Sequence, residues 1–144
     1  MRIDGEWYPC DDGTVRPIIR GEVLGAGGTW QRALFLVDTG ADCTFFSAAM
    51  FDVLGFELHL SDRRLGGVGG ISDSAEIATQ ILIPYRGGGS AVFRGQYSAA
   101  TEFESLDISI LGRDILNLFS VIVDRPSNVV ALIRPPHRYA IAAS

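Results

Sequence analysis

Short apolar runs separated by glycine and proline make up most of this chain of 144 residues, which contains 17 glycines and six prolines. Most of the runs are too short for helices, and they predict strands over residues 14–24, 30–37, 91–100 and 108–111. Residues 75–83 alternate with a period of two and keep one face consistently apolar, which is typical of a half-buried strand. The pattern therefore predicts a mainly β fold.

Two short helices and a terminal hairpin are predicted beside these strands. Ser47 is a favourable N-cap for residues 48–54, and Gly55 is a favourable residue just beyond the helix end. A second helix is predicted over residues 113–118. The two β-rich runs on either side of the turn at residues 124–128 are predicted to form a hairpin.

The whole pattern fits one domain over residues 13–134, because no linker, internal repeat or charge block divides it. A chain of this length buries enough surface to fold without disulfides or a bound metal. Residues 1–12 and 135–144 are predicted to be loosely held terminal extensions.

The charge of the chain narrows the choice of partners. Twelve basic and 17 acidic residues give a net charge of −5, which argues against a nucleic-acid partner or an anionic membrane surface. Neither a signal peptide nor an apolar stretch of roughly 20 residues is present, so we expect a cytoplasmic, reducing location. Cys10 and Cys43 are predicted to be free thiols, and His59 and His137 lack zinc-site spacing. We therefore expect no metal and no cofactor.

An acidic residue directly follows a predicted buried strand in the segment Asp38-Thr39-Gly40. A buried carboxylate is costly unless hydrogen bonds or partners compensate for its lost hydration. The position therefore indicates either a functional acid or an Asx turn with Thr39 and Gly40. Taken alone, the tripeptide does not decide between the two.

Two further segments have unusual compositions. Residues 65–71 hold Val68 among four glycines, which fits a hairpin tip that opens and closes. A phosphate-binding loop fits less well, because no Gly-Lys-Ser/Thr follows. Residues 109–116 contain Arg113 and Asp114 after an apolar strand. Asp114 alone fits the positive end of a helix, whereas a guanidinium beside an apolar strand usually pairs with a carboxylate.

Together these segments resemble the retropepsin family, the retroviral-type aspartic peptidases and their cellular relatives. Four segments carry the resemblance in the family's order: residues 38–42 for the catalytic loop, 66–70 for the flap tip, 80–83 for the returning flap strand and 110–114 for the second conserved block. The resemblance covers about residues 14–123. The sequence departs from the family at Cys43, where retroviral enzymes often carry a second acid, and in its longer chain ends.

The resemblance implies a single-domain, mainly β retropepsin-like acid protease barrel with a glycine-rich flap hairpin and one or two short helices. It implies that Asp38 is the catalytic acid, that the Thr39 hydroxyl bridges two catalytic loops and that the Gly40 main chain hydrogen-bonds a carboxylate. Asp42 and Arg113 match the family's structural ion pair. The residues implied to bind substrate are Ala41, Cys43, Gly66, Gly67, Val68, Gly69, Ile108 and Ile110.

Peptide hydrolysis by carboxylates needs two of them on one water, one ionised and one protonated, and this chain supplies a single Asp-Thr-Gly. The missing half must come from a second copy in a twofold homodimer, whose paired acids share one proton. We therefore predict an aspartic endopeptidase that cleaves peptides between hydrophobic residues, at acid to near-neutral pH. The alternatives are an inactive binding or dimerisation module with the same fold and a phosphate-handling hydrolase.

Overall fold

The computed structural model describes residues 1–58, 60–67, 70–102, 108–138 and 140–143, with the main chain alone for residues 60–67 and 70–73. Eleven strands and two helices follow one another along these residues. The strands are β1 (Arg2–Asp4), β2 (Glu6–Pro9), β3 (Val15–Leu24), β4 (Trp30–Val37), β5 (Phe45–Phe46), β6 (Leu60–Gly67), β7 (Gly70–Tyr85), β8 (Gly89–Ala100), β9 (Ser109–Leu111), β10 (Ser120–Asp124) and β11 (Val129–Ile133). The helices are α1 (Ala48–Leu54) and α2 (Arg113–Leu116).

Six strands close into a barrel in the order β3-β4-β9-β5-β8-β7, and β7 returns to pair with β3. The closing pairs are Glu22 with Leu82 and Val23 with Ile81. A closed ring satisfies the main-chain hydrogen bonds of strands that would otherwise be edges. The predicted mainly β fold and the implied barrel are both confirmed.

The core of the barrel follows from the alternating pattern of β7. Its side chains at every second position from Ala75 to Ile83 are all buried, as the period of two predicts. The apolar side chains among them join the aromatic rings of Phe35, Phe46 and Tyr97 in one hydrophobic core. The Phe46 ring centroid lies 6.3 Å from that of Phe35 and 5.6 Å from that of Tyr97.

The two helices begin where they were predicted to begin. The Ser47 hydroxyl accepts a hydrogen bond from the Met50 N–H at the start of α1, and Gly55 ends the helix with a φ of 71°. The second helix is shorter than the predicted span of residues 113–118. It ends at Leu116 because the N–H groups of Leu118 and Phe119 bond to carbonyls three residues back, which tightens the chain out of α-helical geometry.

The expectation that residues 1–12 are loosely held is wrong. Strand β1 pairs with β11, so that Ile3 faces Leu132, and Ile3 is fully buried in the core. Strand β2 pairs with β3. The Trp7 indole N–H also donates to the carbonyls of Asp124 and Val129, at 3.2 and 3.3 Å. The first extension is therefore part of the folded unit, because its apolar side chains meet strands from the other end of the chain.

The second extension, residues 135–144, is attached to the fold less firmly than the first. Residues 135–138 and 140–143 contain no strand or helix. Within them, His137 Nε2 lies 2.7 Å from the Ser120 hydroxyl, and Ile141 is almost fully exposed. No helix within the described ranges is both long and apolar enough to cross a membrane.

Candidate active site

Asp38 stands at the end of β4, which runs parallel to β9 with Val37 beside Leu111. The Asp38 N–H donates to the Leu111 carbonyl at 3.2 Å. One carboxylate oxygen, Oδ1, accepts the Gly40 N–H at 2.9 Å, and the Asp38 carbonyl accepts the Ala41 N–H at 3.2 Å. These hydrogen bonds form the Asx turn that was one of the two interpretations of this segment from the sequence. Since Asp38 is only half-buried, the turn orients the carboxyl group without closing it off from solvent.

Residues 38–44, which connect β4 to β5 and carry Asp38, form the carboxylate loop. Hydrogen bonds between Thr44 and Asp114 attach this loop to the second conserved block. Asp114 Oδ1 accepts hydrogen bonds from the Thr44 N–H at 2.9 Å and from the Thr44 hydroxyl at 2.7 Å. The same oxygen accepts the Ile115 N–H at 2.9 Å. Thr44 is fully buried, and hydrogen bonds to a charged acceptor are among the stronger ones in proteins. The pair therefore fixes the exit of the loop against the start of α2.

Gly112 completes this fastening because only glycine fits there. Its N–H donates to the Thr44 hydroxyl at 3.0 Å. A Cβ added at Gly112 would overlap the main-chain carbonyl of Cys43 and lie 2.8 Å from the Thr44 nitrogen. The loop and the second block thus touch main chain to main chain.

Arg113 holds the loop from the outside. Its guanidinium pairs with Asp42 and donates to the Thr39 carbonyl at 3.2 Å. Its N–H donates to the Ala41 carbonyl at 2.9 Å, and the Asp114 N–H donates to the Asp42 carbonyl at 3.2 Å. The sequence predicted a carboxylate partner for Arg113 because the guanidinium follows an apolar strand. The pair forms, but it is not buried, since the Asp42 and Arg113 side chains are 80% and 44% exposed.

The predicted substrate-binding residues lie on two of these elements and on the hairpin. Cys43 is exposed, and Ala41, Ile108 and Ile110 are half-buried. Ile110 pairs with both Leu36 and Phe45, next to the carboxylate loop. Their contacts with a substrate remain predictions.

The glycine-rich hairpin forms as predicted up to its tip. Strands β6 and β7 are antiparallel, with Gly66 opposite Ile71 and Gly67 opposite Gly70. The tip residues Val68 and Gly69 lie outside the described residues. A flap hairpin of this kind is typical of the family that the resemblance names.

Tyr97 lies on β8, next to the Phe46 ring and close enough to Asp114 to interact with its charge. Its ring is buried against Phe46, and its hydroxyl donates to the Phe93 carbonyl at 3.2 Å. Burial, and secondarily the negative charge of Asp114, raises the pKa of Tyr97 to about 12. The phenol therefore keeps its proton at all but strongly alkaline pH.

Sequence reasoning missed Thr44 and gave Asp114 only a helix-end role. It also missed the Ser109 hydroxyl, which accepts the Ser47 N–H at 3.0 Å. The available signal was a threonine directly before the apolar pair Phe45–Phe46, since a polar side chain entering a buried strand needs a hydrogen-bonding partner. Within the described part of the chain, no group of three or more His, Cys, Asp or Glu side chains could hold a metal ion. Cys10 and Cys43 are free, as predicted.

A closed barrel that carries an Asp-Thr-Gly loop at a strand end, together with a glycine-rich hairpin, defines the retropepsin-like class of aspartic protease. The family model of the retroviral aspartyl protease matches residues 13–123, and the chain belongs to this family. The resemblance drawn from the sequence is thereby confirmed. Members of this family typically act as homodimers on peptide substrates.

Two solved structures are similar to this chain. A retropepsin-like aspartic protease from Rickettsia conorii is 22% identical with a TM-score of 0.58, over 92% of this chain and 88% of that one. At this identity the likeness shows the fold. The EIAV protease complexed with the inhibitor HBY-793 is 26% identical with a TM-score of 0.47, over 71% of this chain and 86% of that one. No curated protein matches the chain significantly.

Proposed function

We propose that this protein is an aspartic endopeptidase in which two Asp38 carboxylates, one from each chain of a homodimer, activate the water that cleaves a peptide. The peptidase unit in this proposal is residues 13–134, with residues 1–12 and 135–144 as its extensions. Family membership supports protease activity in general. The observation that carries the proposal concerns the Asp38 carboxyl group, which lies half-exposed at the end of a barrel strand. Its Oδ1 atom accepts a hydrogen bond from the Gly40 N–H at 2.9 Å, and this bond orients the carboxyl group.

The chemistry assigns different tasks to the two acids. The ionised Asp38 takes a proton from the water, and the resulting oxygen nucleophile adds to the scissile carbonyl. The protonated Asp38 of the second chain hydrogen-bonds the carbonyl oxygen as negative charge develops there. When the tetrahedral intermediate collapses, the C–N bond breaks and the leaving nitrogen takes up a proton. In the proposed dimer the two Asp38 carboxyl groups lie side by side and share a single proton, because both cannot be ionised at once.

The remaining residues orient the acids and the substrate. We assign the Thr39 hydroxyl to a contact between the two loops, and Gly40 to the hydrogen bond that aims the carboxylate. The substrate would lie extended between the loop and the flap. Its contacts are assigned to Ala41, Cys43, Gly66, Gly67, Val68, Gly69, Ile108 and Ile110. Since Ile108 and Ile110 are apolar, we propose that the residues flanking the cleaved bond are hydrophobic.

The test compares wild type with Asp38→Asn on a library of fluorogenic peptides, from pH 3 to pH 8. The amide keeps the shape of the side chain but cannot take up the proton, so we expect cleavage to fall by at least 1,000-fold, or roughly 4 kcal/mol at 1.36 kcal/mol per tenfold. Asp52→Asn is the matched control, because Asp52 is exposed on α1 and its charge has no part in the proposal. It should cleave as wild type does.

Two results would refute the catalytic assignment. One is cleavage by Asp38→Asn at the wild-type rate. The other is a wild type that is folded and dimeric but cleaves no peptide at any pH, which would favour the inactive binding module.

A further inference from the structure

The outer face of β4 forms a strip of barrel surface that leads away from the carboxylate loop. Ala33, Phe35 and Val37 are buried in the barrel, so the alternate side chains of the same strand point outwards. These outward residues, all half-buried or exposed, are Trp30, Arg32, Leu34 and Leu36. The strip ends two residues before Asp38.

This strip is continuous with residues that the proposed function assigns to the substrate. Leu36 pairs with Ile110 in the parallel register of β4 and β9. Extending that register by one residue places Ile108 beside Leu34. Ile108 and Ile110 are the residues assigned to the side chains that flank the cleaved bond. A peptide that leaves the cleft on this side can therefore continue onto Leu34 and then Arg32.

A groove of about 520 Å³ lies beside the strip, between β4 and α1. Trp30 and Leu34 line it from β4, and Met50 and Val53 line it from α1. Val53 is 54% exposed. Among the described residues that line this groove, Arg32 alone is charged. An apolar groove with one positive charge fits a chain segment that carries an apolar side chain beside a carboxylate.

The Arg32 guanidinium is exposed and lacks the partner that its neighbour has. Arg20, on the adjacent strand β3, donates to both carboxylate oxygens of Glu6, at 2.7 and 3.2 Å. Glu22 stands opposite Arg32 in the β3–β4 register, but it lines a different groove. Arg32 forms no ion pair with any carboxylate of the described residues. Its planar set of N–H donors is therefore available to a carboxylate from outside the chain.

The occupant that this continuity indicates is the substrate itself. A strand rises about 3.3 Å per residue, so the six steps from Asp38 to Arg32 cover about 20 Å. An extended substrate covers the same distance with about six residues. Arg32 therefore lies within reach of a substrate residue well beyond those that contact Ile108 and Ile110.

We propose that Arg32 and the groove between β4 and α1 form a second recognition site for the substrate polypeptide. The site selects a carboxylate about six residues from the cleaved bond, with an apolar side chain next to it. This inference rests on the proposed function, because it needs a substrate bound across Asp38. Arg32 lies far from the reacting atoms and binds substrate and transition state equally, so it acts on KM and leaves kcat unchanged.

Extended peptides test the charge preference. A fluorogenic peptide that the wild type cleaves is lengthened with Gly-Ser spacers, and Glu or Gln is placed roughly four to nine residues from the cleaved bond, on either side. Near the sixth residue, Glu should raise kcat/KM about fivefold over Gln, or about 1 kcal/mol at 1.36 kcal/mol per tenfold, through KM alone. Arg32→Gln should remove this preference, and Arg32→Glu should replace it with a preference for Lys.

Arg94→Gln is the matched control for the charge. Arg94 is also exposed on the outer face of the barrel, and its Nε donates to Gln80 Oε1, but it does not line this groove. The substitution removes the same charge from the chain, so the preference for Glu should stay as in wild type. Urea unfolding checks that each variant is folded.

The apolar part of the groove is tested with Leu or Ser beside the Glu. The wild type should cleave the Leu peptide with about threefold higher kcat/KM, because Leu buries apolar surface against Met50 and Val53. Val53→Ser should reduce this ratio. Val92→Ser, at a residue of β8 that is 44% exposed, should leave it unchanged. Equal ratios in all three proteins would remove the groove from the proposed site.

Binding without cleavage gives an independent measurement. Asp38→Asn is titrated with the Glu peptide and with the Gln peptide, and the amide chemical shifts are followed by NMR. The Glu peptide should bind about fivefold more tightly and should shift the amides of residues 30–34 and 50–53. Shifts confined to other parts of the chain would overturn the inference. The wild type at a pH where it does not cleave replaces Asp38→Asn if that variant does not fold.

The two measurements separate this inference from the proposed function. If the wild type cleaves but prefers Glu at none of the positions, or if folded Arg32→Gln keeps the wild-type preference, the inference fails and the function stands. If the wild type cleaves no peptide, while the Glu peptide shifts residues 30–34 and Arg32→Gln abolishes those shifts, the function fails and the recognition of a carboxylate by Arg32 stands.

Discussion

Thr44 and Asp114 meet through two hydrogen bonds to one carboxylate oxygen, from the Thr44 N–H at 2.9 Å and its hydroxyl at 2.7 Å, although they are 70 residues apart. The Thr44 hydroxyl in turn accepts the Gly112 N–H at 3.0 Å. The contact joins the carboxylate loop to the block after β9. The position of Asp38 therefore depends on residues that take no part in the proposed chemistry.

Thr44→Val should destabilise the protein by about 1–3 kcal/mol, because it leaves the buried Gly112 N–H without its acceptor and removes a donor to Asp114. Urea unfolding measures the change. Thr29→Val is the control, since Thr29 is exposed in the β3–β4 turn, and it should change stability by less than about 0.5 kcal/mol. Equal effects of the two substitutions would contradict the importance of the Thr44 contact.

Gly112→Ala should cost at least about 1–3 kcal/mol, because the added Cβ meets the main chain of Cys43 and Thr44, which cannot move aside as a flexible side chain would. The cleavage rate should also fall, since the displaced loop carries Asp38. Gly27→Ala provides the comparison, because no atom lies within 4 Å of a Cβ there. A urea midpoint for Gly112→Ala that matches the midpoint for Gly27→Ala would show that the close approach is unimportant.

Ile3→Ala should destabilise the protein by about 2–5 kcal/mol, as expected for a fully buried isoleucine in a core. The measurement is again urea unfolding, with Ile141→Ala as the reference at an almost fully exposed isoleucine of the other extension. That variant should unfold as wild type does. A small loss for Ile3→Ala would mean that the first extension is not part of the cooperative unit.

Tyr97→Phe should change how stability responds to alkaline pH. The folded-state pKa of Tyr97, about 12, lies above its ordinary value of 10.0, so the folded protein holds this proton more tightly than the unfolded chain. The resulting stability is complete below pH 10 and is lost as pH rises towards 12. At 1.36 kcal/mol per unit, the wild type should lose about 2 kcal/mol between pH 9 and pH 11.5 that Tyr97→Phe does not lose.

Urea unfolding at pH 9 and at pH 11.5 measures this difference. At pH 9 the variant should already be about 1 kcal/mol less stable, because it lacks the hydroxyl that donates to the Phe93 carbonyl. The absorbance of ionised tyrosine gives an independent titration. If both proteins lose the same stability between the two pH values, the burial effect on Tyr97 is not the cause.

The sequence by itself determined those helix ends and strand faces that depend only on residues close together in the chain. Ser47 and Gly55 cap α1, and the alternation along β7 selects its buried face, because capping and side-chain direction depend on near neighbours. The joint order of the Asp-Thr-Gly, glycine-rich and second-block segments was also enough to recognise the family. The residues of the candidate site follow from those motifs and remain predictions until they are substituted.

Only the tertiary structure decided which distant segments meet. It paired β1 with β11 from the opposite end of the chain, fastened Thr44 to Asp114, and left the Asp42–Arg113 pair largely at the surface. The physical reason is that the sequence pattern indicates whether a residue favours burial or needs a hydrogen bond. The partner that satisfies this preference is set by the path of the whole chain.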